Sequence, residues 1–134
     1  MASSIYGDGP MVKVKNIKWI SNSAKEAELI ITDGVNECLV FSQPCIVRIG
    51  EEISEPLKTL DTENLMKITD TSHHEKIEKI VESYFAYHCV AKVIDCNKGI
   101  VQIGKLKIEL NQRIPAWANK GDLVEFDCSR LDLW

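Results

Sequence analysis

From Met11 onward, apolar and polar positions alternate in short runs, and a period of two marks strands with one buried face. In residues 12–20 the apolar parity switches from Val12 and Val14 to Ile17 and Trp19. Such a switch needs one extra residue, which predicts a β-bulge near Lys15-Asn16. Ala27, Leu29 and Ile31 alternate with Glu26 and Glu28, and Asp33-Gly34 then turns the chain into residues 37–42 as a hairpin. Residues 45–49 read as a further short strand ended by Gly50, and 53–60 as a strand that Pro56 confines to an edge.

The pattern changes over residues 72–84. Ser72 and Glu75 have the spacing of a capping box, and Ile77, Ile80, Val81 and Tyr84 recur at helical intervals with Lys76, Glu78, Lys79 and Glu82 between them. This predicts the one principal helix; residues 62–68 fit a short helix or a strand equally. Strand signals return at 88–96, apolar on both parities as in a central strand. Ile100–Ile103 and 106–110 then flank the hairpin turn Gly104-Lys105, where a leading glycine suits type II′. In the last strand Val124, Phe126 and Cys128 share one face, while Leu131 and Leu133 have the opposite parity, so a second bulge is expected near Ser129-Arg130.

These elements predict a mainly β domain over residues 11–134, a barrel or sandwich of about eight to ten strands with one helix covering an end or edge. Residues 1–10 read as a disordered leader or a cloning remnant. The two β stretches, 11–60 and 86–134, joined by an acidic segment, 61–85, have a shared rhythm that includes a glycine-acid step, Gly50-Glu51 against Gly121-Asp122; it fits an internal duplication or, more simply, the common look of short strands and glycine turns. The later stretch is similar in rhythm to small Greek-key barrels of OB and cold-shock type, a likeness of strand pattern over roughly 45 residues. That likeness implies a base-stacking platform after Asn97-Lys98-Gly99, where this chain has Ile100-Val101-Gln102-Ile103 and no aromatic.

Charge sharpens the reading. The net charge of −4 is concentrated in residues 51–82, where nine acids face four lysines for a local −5. An acidic balance is the wrong sign for neutralising phosphates, so nucleic acid is not the first expectation. No run of apolar residues approaches the ~18 needed to span a membrane as a helix. Five cysteines, an odd number without a dense framework, fit reduced thiols in the cytoplasm.

Catalytic signatures are missing: the chain has no phosphate-binding glycine loop, no nucleophile elbow and no HExxH. The cysteine and histidine spacings match no common zinc module, so no metal and no cofactor is expected. His88-Cys89 and the i, i+2 carboxylates Glu125 and Asp127 are the only local hints of nucleophile or acid–base chemistry, and both read more simply as strand residues.

The leading expectation is therefore a small non-catalytic protein-binding module, in one version an inhibitor or immunity-type protein that masks a basic partner. Its candidate docking residues are Glu51, Glu52, Glu55, Asp61, Glu63 and Trp117, since acidic groups steer basic partners and tryptophans anchor interfaces. A free strand edge would also let the chain self-associate. The alternative is a single-stranded nucleic-acid-binding OB-like domain using Lys13, Lys15, Lys18, Trp19 and Phe41.

Overall fold

The computed structural model describes residues 12–70 and 72–133; the leader expected at 1–10 and the terminal Trp134 lie outside them. Three strands open the chain as an antiparallel meander: β1 (Lys13–Ser21), β2 (Glu26–Thr32) and β3 (Glu37–Ser42). Next come β4 (Leu57–Leu60), β5 (Glu63–Ile68) and β6 (Lys76–Lys79). A second meander follows, made of β7 (Tyr87–Asp95), β8 (Ile100–Ile103) and β9 (Leu106–Glu109), and then β10 (Leu123–Cys128) and β11 (Arg130–Leu133).

All eleven strands join one sheet in the order β1-β2-β3-β11-β4-β9-β8-β7-β10-β5, with β6 added beside β7. The path ends at β1 and β5 without closing, so the mainly β expectation holds but the closed barrel does not. The two meanders repeat one connectivity and exchange their closing strands. β3 runs parallel to β11, β9 runs parallel to β4, and β4 pairs antiparallel with β11 between them. The glycine-acid steps occupy matching positions. Val14 donates to Glu51 O at 2.9 Å and accepts from Gly50 at 2.7 Å; Val93 donates to Asp122 O at 2.9 Å and accepts from Gly121 at 2.8 Å.

The first parity switch is the expected bulge, whereas the second, expected as a bulge in one strand, is a corner between two strands. The β1–β2 register slips between Val14 and Asn16, so both Val14 and Ile17 face inward. At Ser129 the chain turns a corner, leaving β7 and β5 as partners for β4 and β3, and so keeps Cys128 and Leu131 both buried. Gly104 has φ +58° while Lys105 does not share a positive φ, as a type II′ turn requires. The inward faces merge into one core in which Leu29, Ile31, Ile108, Phe126, Leu131 and Leu133 are fully buried. Burial of each large side chain contributes roughly 1.5–3 kcal/mol.

Several expectations are corrected. No helix forms among the described residues, and the segment expected to be helical is β6 followed by a turn. The capping groups have other partners: Ser72 N–H donates to Asp70 Oδ1 at 2.9 Å, and Glu75 Oε1 accepts from Gly104 N–H at 2.8 Å. Ile77 pairs with Cys89 and packs on the core, whereas Val81 is 90% exposed, so the supposed apolar stripe buries only in part. The first half of β7 lies beyond the reach of β8, and satisfying its backbone outweighs local helical preference. Residues 45–49 are loop rather than strand. Pro56 precedes β4 instead of interrupting it, and β4 is central rather than an edge.

Candidate functional site

β1 is an end strand, and its outer side is bonded only at its start. Ile53 N–H reaches Val12 O at 2.8 Å and Glu51 and Gly50 bond Val14, but no backbone hydrogen bond reaches residues 15–21 from that side among the described residues. Trp19 and Ile20 there are 46% and 49% exposed. Cys45 N–H donates to Lys25 O and Gly50 N–H to Val14 O, each at 2.7 Å, so residues 45–50 run back along β1 from its turn to Val14. Between those two contacts Ile46 and Ile49 are exposed.

The flank has a charge of its own. Residues 12–25 and 43–50 together contain Lys13, Lys15, Lys18, Lys25 and Arg48 and no carboxylate. Lys15 is ion-paired with Glu37. Lys18, Lys25 and Arg48 are exposed, with no ion-pair partner among the described residues. Exposed apolar side chains near unpaired cations, on a strand whose outer backbone groups at 15–21 meet no backbone partner among the described residues, are chemically suited to an extended, negatively charged segment.

A second cluster lies on the outward face of β7 and β10. His88 sits directly opposite Asp127, with Nδ1 2.6 Å from Oδ1, and its Nε2 lies 3.5 Å from Glu125 Oε2. Asn64 Nδ2 donates to the other Asp127 oxygen at 3.2 Å. The bond to His88, set against partial burial and aided by Asn64, holds the Asp127 carboxyl below its usual range. Asn64 and Asp61 both have left-handed backbones, φ +58° and +55°, conformations that Asn and Asp tolerate best among side chains bearing a Cβ. Beside this cluster a cleft of about 220 Å³ is walled by Asp61, Glu63, Asp127 and Cys128. No group of three or more His, Cys, Asp or Glu with metal-holding geometry occurs among the described residues.

The candidate residues fall in several places. Glu51 accepts from the Arg48 backbone within its own turn, Glu52 bridges to Lys13, and Glu55 lines a small cleft that also contains Lys105 and Lys107. Asp61 and Glu63 are brought to Asp127 at the other cleft. Trp117, 45% exposed, belongs to the loop whose neighbours Pro115, Ala116 and Ala118 line an open concavity of about 710 Å³, where Arg113 is the only charged lining residue. Of the nucleic-acid set, Lys13, Lys15, Lys18 and Trp19 share β1. Phe41 does not join them: it lies on β3 under the Arg130 guanidinium, 4.4 Å from the ring centroid, with Phe85 edge-on at 6.4 Å.

Compared with family models, curated proteins and solved structures, the chain matches none of them. Ile46, Arg48 and Ile49 are the flank residues that sequence reasoning missed, because 45–49 resembles a buried strand. The available signal was the absence of any acid from 12–25 and 43–50 in an otherwise acidic chain.

Proposed function

We propose that the protein is a non-catalytic protein-binding module that takes an extended, acidic segment of its partner along the outer edge of β1. The observation that carries this reading is the coincidence of β1 backbone that meets no outer backbone partner at 15–21 among the described residues with exposed Trp19 and Ile20 on the same strand. A partner strand gains main-chain hydrogen bonds from such an edge, and side-chain pockets and charge then select which strand is accepted. The partner's sign follows from the local cations Lys18, Lys25 and Arg48 rather than from the chain's total of −4, since exposed charges act within about a Debye length of 8–10 Å.

The test is affinity capture by the wild type against Trp19→Ala and Lys18→Glu, with circular dichroism confirming that both variants fold. A partner that is retained by the wild type, lost by both variants, and bound through an acidic segment is the expected result. Equal capture by all three proteins would overturn the reading. A second reading, single-stranded nucleic acid, is favoured by Lys13, Lys15 and Lys18 sharing the strand with Trp19. Quenching of Trp19 by oligo(dT) at low salt, relieved steeply as salt rises, would select it over the first.

A further inference from the structure

The hydrogen-bonding register of β1 fixes which of its residues can receive a partner strand. Val14 turns both its N–H and its carbonyl to the outer side, where Glu51 O and Gly50 N–H meet them. Residues of an antiparallel pair alternate between bonding their neighbour and facing away from it, so Lys13, opposite Thr32, bonds β2. The bulge between Val14 and Asn16 adds one residue and moves the outward-bonding positions from even to odd numbers. Beyond it Asn16 and Lys18, opposite Ile30 and Glu28, bond β2, while Ile17 and Trp19 direct their N–H and carbonyl groups outward. No backbone partner meets those outward groups among the described residues. The side chains divide in step. Ile17 and Trp19 lie opposite Leu29 and Ala27, which are fully buried, and so share the inward face, with Trp19 46% exposed at its margin. Lys18 lies between them on the outward face, opposite Glu28, whose Oε1 accepts from the Tyr84 hydroxyl at 2.6 Å.

We propose that β1 accepts an extended segment in which an acidic residue stands between two apolar ones, the acid beside Lys18 and the apolar pair beside Ile17 and Trp19. This rests on the docking of an acidic segment at the β1 edge and narrows that segment to an alternating one. A strand bonded to the outward groups of Ile17 and Trp19 lies in register with them. Residues paired across a sheet point to the same face, so the partner's residues at those two positions face inward, one of them against the exposed part of the Trp19 ring. The residue between them faces outward beside the Lys18 ammonium, which has no ion pair among the described residues and supplies the opposite charge. The window is short, because Gly50, Glu51 and Ile53 occupy the outer side at Val12 and Val14 and β1 ends at Ser21. A segment with its acids contiguous would put a carboxylate on the inward face beside Trp19, where it loses water and gains no cation.

The experiment titrates the isotope-labelled full-length protein with two end-capped peptides of one composition, followed by amide NMR and hydrogen exchange. One peptide is glycine–glutamate–valine–glutamate–valine–glutamate–glycine, and the other is its isomer with the two valines adjacent. The alternating peptide is expected to bind about tenfold more tightly than its isomer and to slow exchange of the Ile17 and Trp19 amides. Lys18→Glu, with folding checked by circular dichroism, is expected to weaken that binding by about tenfold again. Equal affinity for the two isomers, with binding still lost in Lys18→Glu, overturns the alternating register and leaves the docking of an acidic segment standing. New protection at Asn16 and Lys18 in place of Ile17 and Trp19 also overturns the register. Binding of neither isomer overturns both. The two peptides are compared on the wild type, so the comparison stands even where the variant fails to fold.

Discussion

His88 Nδ1 lies 2.6 Å from Asp127 Oδ1 across directly paired positions of β7 and β10. That bond gives the fold a defined acid sensitivity. The folded-state pKa of Asp127 is below its unfolded value, so the stabilisation is complete above the unfolded value near 4 and is lost as pH falls through the folded value. With the side chain 31% exposed, solvent screening keeps the effect at about 0.5–1 kcal/mol. Asp127→Asn is therefore expected to lower the urea midpoint at pH 7 and to converge with the wild type near pH 2. A constant offset across that range would show that Asp127 acts through packing alone.

The tips of the two hairpins interlock at Gly104. A Cβ added there would sit 2.5 Å from Asp33 Oδ2, and Asp33 is held by N–H donors of Val35 and Asn36 in its own turn and of Lys105 in the other. Burial raises the Asp33 pKa, but these donors outweigh it and keep the carboxyl ionised and in place. Gly34 also has a positive φ, yet its Cβ would meet nothing within 4 Å. Both alanine variants lose about 1–2 kcal/mol to the left-handed backbone. Gly104→Ala is expected to lose roughly 1–3 kcal/mol more by displacing Asp33. Thermal midpoints of the two variants measured side by side check the difference.

Tyr87 is 6% exposed, and its hydroxyl accepts the Leu39 N–H at 2.8 Å, tying β7 to β3. Tyr87→Phe removes the acceptor and leaves that donor unmet, which is expected to destabilise the fold by about 1–2 kcal/mol. Hydrogen exchange offers a local readout, with the Leu39 amide exchanging faster than its neighbours in β3.

Phe126 and Trp19 are expected to behave oppositely. Phe126 is fully buried, so Phe126→Ala opens a cavity and costs about 3–5 kcal/mol. Trp19 is 46% exposed, so Trp19→Ala is expected to cost only about 1–2 kcal/mol, well below the loss at Phe126, while removing partner capture. Denaturant midpoints for both variants separate the two roles; a large loss at Trp19 would make it a core residue.

Much of the fold is legible in local residue order. The alternation of Ala27, Leu29 and Ile31 marks β2, the parity switch after Val14 locates the bulge, and the glycine turns at 34 and 104 set both hairpins. These signals survive because a period of two and a positive φ are imposed within a few residues, whatever lies beyond. Residues 76–79 show the opposite case. Their helical spacing is real, but the vacant backbone of β7 at Tyr87 to Val90 recruits them as a strand, and that demand comes from residues about ten positions away along the chain.

The candidate site divides in the same way. Lys13, Lys15, Lys18 and Trp19 share β1 and could be grouped by sequence, whereas Ile46, Arg48 and Ile49 join them only because the chain returns from Cys45 to Gly50. By itself the sequence determined a detail as small as the bulge after Val14 and a property as broad as a mainly β chain with an apolar inward face, while the change of partners at Ser129 came only with the fold. Only the tertiary structure decided that β4 and β11 close each other's meander, that the acids at 51–63 separate into different places, and that the exposed flank is cationic. The physical reason is range: side-chain period and turn chemistry act between near neighbours, while strand exchange and surface charge depend on which distant segments satisfy one another's backbone.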